Sequence, residues 1–199
     1  MTKLILVRHG QTAKNTGGKM HSAGDPELLN ELGRKQISLT AKKLKAYKPS
    51  MIYASKEARA NQSAEIISKV CRVEMISTEG LQERNWGIYA GKSWPEIKPV
   101  LEGKSTEERY LWIPENGESW KAFETRLKKI INKILKDNEG KTVIVVTHGG
   151  AIRALMPYLL HLPKEESFNF DPDNASITIF NFEKGKFEKE VYNDTSHLK

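Results

Sequence analysis

The chain of 199 residues carries 32 basic and 25 acidic side chains, a formal net charge of +7, with 38% hydrophobic and 29% charged residues. That length is enough for one sizeable core, and that composition excludes a mostly disordered chain or a disulfide-stapled miniprotein. The positive balance points to an anionic partner, whether a phosphorylated metabolite, nucleic acid or an anionic membrane surface; the single cysteine, Cys71, excludes an internal disulfide and a cysteine metal cluster, is read as a small buried side chain, and fits a reducing cytoplasm.

Met1-Thr2-Lys3 leads into only four apolar residues, Leu4 to Val7, too few for a signal peptide or a membrane span. Their continuous aliphatic character predicts a strand buried on both faces of a parallel sheet. Ile37, Ala41 and Leu44 then recur at helical spacing, Met51 to Ala54 reads as a short strand, and Ala58 to Val70 as a helix with Ala64, Ile67 and Val70 inward. A further strand is expected over Val73 to Ile76. Gly91 to Pro114, with Trp94, Pro95, Pro99 and Trp112, reads as an irregular inserted cap. The clearest helix runs from about Ser119 to Asp137, with Phe123, Leu127, Ile130, Ile131 and Ile134 on one face, lysines opposite, and capping chemistry at its start. Val143 to Val146 is a second doubly buried strand, His161 ends a helix before Pro163, and Ser176 to Phe182 with Gly185 and Phe187 to Tyr192 reads as a hairpin. This order predicts an α/β fold, a single domain over 1–199 in three layers, with a mostly parallel central sheet between helices and a small cap at about 91–114.

The chemistry gathers at strand ends. Arg8-His9-Gly10-Gln11-Thr12 follows the first strand and Thr147-His148-Gly149-Gly150 the late one, and ligands of open α/β sheets bind beyond the carboxyl ends of the strands. A glycine after each histidine lets an anion approach the backbone. Arg59, early in a helix after a strand, adds a cation, and Glu83, after Leu81-Gln82, a carboxylate. His197 is assigned to a frayed tail. The four tryptophans read as core or cap packing, and without a basic patch interleaved with aromatics, nucleic acid is set aside.

Those residues, in that order, resemble the histidine phosphatase superfamily, in its phosphoglycerate-mutase-like branch. Arg8-His9-Gly10 matches the family's opening motif, with Thr12 and Asn15 at its hydroxyl and asparagine positions; Arg59-Ala60, Glu83, Gly87, Gly91, Pro114 to Ser119, Arg126, His148-Gly149-Gly150 and Asn174-Ala175-Ser176 match its later ones. The chain departs at 16–29, where many members carry an Arg/Gln-Gly-x-x-Asp stretch and this one reads Gly17-Gly18-Lys19-Met20-His21-Ser22-Ala23-Gly24-Asp25. That stretch helps choose the substrate in the family, so the resemblance leaves the substrate open.

The resemblance implies a phosphatase acting on a small phosphomonoester without a metal or other cofactor. Arg8 and Arg59 would neutralise the phosphate, neutral His9 would attack phosphorus and carry it as phosphohistidine, and Glu83 would protonate the leaving oxygen and later activate water. A charged His148 would stabilise the transferring group. Thr12, Asn15, Gly149 and His21, besides the two arginines, would bind substrate. A phosphoglycerate mutase is the nearest alternative, disfavoured by a cap shorter than that of the mutases, and a non-catalytic phosphate-binding regulatory module is another. Zinc on His9, His148 and Glu83 would be opposed by Arg8 and Arg59. The expected partner is a small phosphorylated metabolite, with neither nucleic acid nor membrane; the oligomeric state is left open, a homodimer included.

Overall fold

The computed structural model covers residues 1–199 in full. Strand β1 (Thr2–Arg8) leads to a single helical turn α1 (Ala13–Thr16) and helix α2 (Glu31–Lys45); β2 (Met51–Ser55), α3 (Ala58–Cys71) and β3 (Met75–Thr78) follow. After two 3₁₀ turns come α4 (Trp94–Leu101), α5 (Thr106–Leu111), the long α6 (Trp120–Asp137), β4 (Thr142–Thr147), α7 (Gly149–Leu160) and the hairpin β5 (Ile177–Glu183) and β6 (Lys186–Asp194). The six strands form one sheet in the order β3-β2-β4-β1-β5-β6, the first four mutually parallel and the hairpin antiparallel at one edge. The expected mostly parallel sheet is therefore present, and its two apolar runs are its central strands.

Strand alternation sends Leu4, Leu6, Val143 and Val145 to one face, where α6 and α7 cover them, and Ile5, Val7, Ile144 and Val146 to the other, under α2 and α3. The α6 stripe expected from the sequence buries Phe123, Leu127, Ile131 and Ile134, and the Ser119 hydroxyl caps the helix by accepting from the Ala122 amide at 3.1 Å. Each such fully buried side chain contributes about 1.5–3 kcal/mol by leaving water. Helix α2 is seated against the loop after β1 by Gly33, where a Cβ would lie 2.1 Å from the Gln11 carbonyl oxygen. That close approach positions the His9 loop from beneath.

Three local expectations are corrected. Segment 91–114 is not irregular: Ser93 and Ser105 each begin a capping box, with Glu96 and Glu108 as the reciprocal partners, and these drive α4 and α5. The tail is not frayed at His197, whose Nε2 lies 2.9 Å from the Thr40 hydroxyl and 3.2 Å from the Ala175 carbonyl. Cys71 is only partly buried, at the last turn of α3. No helix is long and apolar enough to cross a membrane.

Candidate active site

The register pairing Arg8 with Thr147 sets the ends of β1 and β4 side by side, so His9 and His148 leave the sheet together and their ring centroids stand 5.3 Å apart. Arg59 comes from the first turn of α3 beyond β2, and Glu83 from the loop after β3. All four are buried. His9 and Glu83, together with Arg8, Asn15, His21, Gly149 and Gly150, line a cleft of about 190 Å³ at the carboxyl edge of the sheet, and Arg59 and His148 lie fully buried against His9 behind it.

His9 Nδ1 is 2.8 Å from the Gly10 carbonyl, which can only accept, so Nδ1 carries the proton and Nε2 presents its lone pair. Arg59 Nε–H points at that lone pair from 3.3 Å. Burial, with the positive charges of Arg59 and Arg8, holds the His9 pKa well below the usual histidine value. Neutral His9 is thus the expected form. The loop is pinned by the His9 amide on the Thr147 carbonyl, the Gly10 amide on the Ser63 hydroxyl, and the Asn174 side-chain amide on the His9 carbonyl.

Arg8 donates from Nη1 to the Pro172 carbonyl at 2.5 Å, while its buried Nε has no protein partner. Gly149 leaves it room: a Cβ there would lie 3.2 Å from the guanidinium carbon, close enough that the Arg8 side chain would have to give by a few tenths of an ångström. Glu83 accepts the Gly150 amide at 3.0 Å on one carboxylate oxygen and the Arg84 amide at 2.9 Å on the other, which fixes it against the N-terminus of α7.

His148 differs from its expected state. Burial, followed by Arg59 and His9, lowers its pKa well below the ordinary value, so the imidazole is neutral in the free site rather than charged. Its Nε2 is 2.8 Å from the Ser55 hydroxyl, and its buried Nδ1 has no partner.

Thr12 and Asn15 meet in a capping box at α1. His21 Nε2 is 2.8 Å from the Thr12 hydroxyl and Nδ1 is 2.9 Å from Asp25, so the ring stands edge-on to His9 with both nitrogens taken. Burial, then Arg59, lowers the His21 pKa to about 4; Asp25, despite its own burial, is held at about 2 by hydrogen bonds from Lys14 and His21. His21, Asp25 and Glu27 offer ligand atoms within 4.8 Å of one another. They fit a cation poorly, because Asp25 already pairs with the Lys14 ammonium and receives His21 Nδ1–H. The atoms of His9, His148 and Glu83 do not converge in that way.

Several site residues escaped the sequence reading. Arg84 stacks on Trp86, its guanidinium carbon 4.2 Å from the ring centroid, donates to the Glu118 and Trp112 carbonyls, and has its pKa lowered by burial to about 10. Arg153 on α7 bonds the Phe170 carbonyl and Asp171, and with Lys19 and Met20 it lines the cleft. Glu57, immediately before α3, is buried between Arg59, His148 and Glu83. Trp86, two residues on, was the only nearby signal in the sequence, since Trp112 and Trp120 reach Arg84 only in the fold; a charged residue in a polar loop gives no sign of its burial.

The model of the histidine phosphatase superfamily (branch 1) matches residues 4–195. The chain is 32% identical to a metal-independent phosphoserine phosphatase of Arabidopsis thaliana, over all of this chain and 84% of that protein. It is equally 32% identical to phosphoglycerate mutase-like protein 4 of the same plant, over 98% and 86%. Among solved structures it is similar to a phosphoserine phosphatase of Entamoeba histolytica in complex with 3-phosphoglyceric acid, with a TM-score of 0.87 and 28% identity over the whole of both chains.

Proposed function

This chain belongs to the histidine phosphatase superfamily, and on that footing we propose that it hydrolyses a small phosphomonoester, with O-phosphoserine the first candidate, through a phosphohistidine on His9. One observation carries this reading: a buried imidazole with its proton held on Nδ1 presents Nε2 beside the guanidinium of Arg59. Arg59 and the free Nε of Arg8 would bind the phosphoryl oxygens, lowering the charge that repels a nucleophile. His9 Nε2 then bonds to phosphorus as the ester oxygen departs. Glu83, at the mouth of α7, gives that oxygen its proton and takes one from the water that frees phosphate from His9, a role typically worth about 10² to 10⁴ in rate. His148, whose Nδ1 has no protein partner, would donate to the transferring group.

A phospho-amino acid fits the outer cleft because both signs of charge line it, Lys19 and Arg153 beside Asp171. Lys19 would attract a carboxylate and Asp171 an ammonium. The positive charge a divalent metal would supply is already provided by Arg8 and Arg59, in line with a metal-independent reaction in the cytoplasm.

The test is a phosphate-release panel of O-phosphoserine, 3-phosphoglycerate and p-nitrophenyl phosphate, with mutase turnover followed in parallel, and acid-avoiding detection of labelled enzyme. O-phosphoserine should be hydrolysed fastest and label should sit on His9. Label at wild-type level in His9→Ala would remove the assignment, and net transfer of phosphate from C3 to C2 of phosphoglycerate would make the protein a mutase.

A further inference from the structure

We propose that Glu57 is the positioning residue that makes His148 a cation when a phosphoryl group arrives, a role that rests on the phosphohistidine reading above. The free site poses the problem. Nε2 of His148 is bound on the protein side and buried Nδ1 is the nitrogen left for substrate. Beside Nε2 lies also the Glu57 carboxylate, which can only accept; for Nε2 to donate on that side while Nδ1 donates to a phosphoryl oxygen, the ring must carry protons on both nitrogens. The two guanidinium groups of the site oppose this: Arg59 from α3 and Arg8 from the end of β1 both repel an imidazolium, while His9 and His21, themselves neutral, offset nothing and Glu83 lies farther off, beyond 4 Å of its nitrogens.

Glu57 is the exception. Its Oε2 lies 3.3 Å from His148 Nε2, the one carboxylate within 4 Å of that ring, and the same oxygen accepts from Arg59 Nη2. The other oxygen accepts the Glu83 amide at 3.1 Å. One buried carboxylate therefore stands beside the His148 ring while it holds the guanidinium that faces His9 and the backbone of the proposed proton donor. None of these contacts reaches the reacting atoms, so Glu57 acts through its partners.

The charge balance supports the geometry. Burial drives the Glu57 pKa up, contact with Arg59 pulls it back and Glu83 pushes it up again, leaving it at about 7. An imidazolium facing Glu57 favours the carboxylate, and the carboxylate favours the imidazolium. A phosphoryl dianion on the Nδ1 side adds the attraction that tips the pair to its charged form. Glu57 would thus tune His148 to become positive mainly when the negative group is present, leaving neutral His9 undisturbed in the free site.

Glu57→Gln keeps the size of the side chain and one of its two acceptor oxygens, and removes its charge. Ring ¹⁵N NMR of the full chain saturated with inorganic phosphate should show His148 doubly protonated in the wild type. In the variant its titration midpoint should fall by a unit or more, with single-turnover phosphorylation of His9 by p-nitrophenyl phosphate slowed tenfold or more at neutral pH and partly restored at lower pH. A merely structural glutamate would lower the rate without moving that profile. Glu57→Asp, which keeps the charge but draws it back, should fall between the two and carries the test if the glutamine variant fails to fold. An unchanged His148 titration in whichever variant folds overturns the proposal. If the wild type forms no phosphohistidine, the parent reading fails instead; wild-type labelling with an unmoved His148 isolates the failure to Glu57.

Discussion

Gly150 offers a way to displace the proposed proton donor without altering its chemistry. A Cβ built on Gly150 lies 2.3 Å from Glu83 Oε1 and 3.0 Å from the carboxyl carbon, and the Gly150 amide is itself the 3.0 Å donor to Oε2. A methyl group cannot share that space, so in Gly150→Ala the carboxylate must withdraw by about 1 Å, the scale of the van der Waals overlap. The obstructing atoms are the end of a flexible side chain rather than backbone, and the site lies in the first turn of α7, where alanine is favoured over glycine by about 0.5–1 kcal/mol. The fold should therefore hold or gain slightly in stability, while Glu83 loses a hydrogen bond worth about 0.5–1.5 kcal/mol in fixing its position. Misplacement of a catalytic group by about 1 Å costs about 10² in rate. An alkyl ester depends on protonation of its leaving oxygen and p-nitrophenyl phosphate does not, so single-turnover phosphorylation of His9 by O-phosphoserine should slow about 100-fold and that by the aryl ester less than about tenfold. Glu83→Gln should show the same selectivity, and the double variant should be little slower than either single one. Equal slowing of both esters, or additivity in the double variant, would refute Glu83 as the donor.

Arg59→Ala should weaken inhibition by inorganic phosphate or vanadate by about 1.5–3 kcal/mol, and Arg59→Lys should recover little of it because the fork is lost; unchanged inhibition constants would make Arg59 structural. His21 has a folded pKa of about 4 against an ordinary value of 6.5, so acid protonates the unfolded chain first and stability is lost as pH falls from about 6.5 to 4. That lowering corresponds to about 3 kcal/mol, and chemical denaturation of His21→Gln across this range should show a pH-dependent loss smaller by about that amount; an identical slope in wild type and variant would contradict it. Turnover should survive excess EDTA, whereas loss on chelation with recovery on zinc would show that the two arginines do not supply the charge the reaction needs.

The pattern of apolar residues reports which faces are buried, and it made the fold legible: Leu4 to Val7 and Val143 to Val146, short, aliphatic and unbroken, read as strands covered on both sides, and they are the centre of the sheet. Because a strand end places whatever follows it on the ligand edge, Arg8-His9-Gly10 and His148-Gly149-Gly150 were legible too, and so were Arg59 and Glu83 beyond the neighbouring strands. Local capping boxes at Ser93 and Ser105 were equally present in the sequence, but the prolines of segment 91–114 masked them. Only the tertiary structure decided the charge states and partners. Whether Glu57 faces water or His148, whether His148 is neutral, and whether His21 pairs with Asp25 depend on desolvation and on distances between groups from different elements, such as the 93 residues that separate Ser55 from His148. Periodicity encodes how a segment presents its own faces; electrostatics in a buried site depends on what the rest of the chain brings against it.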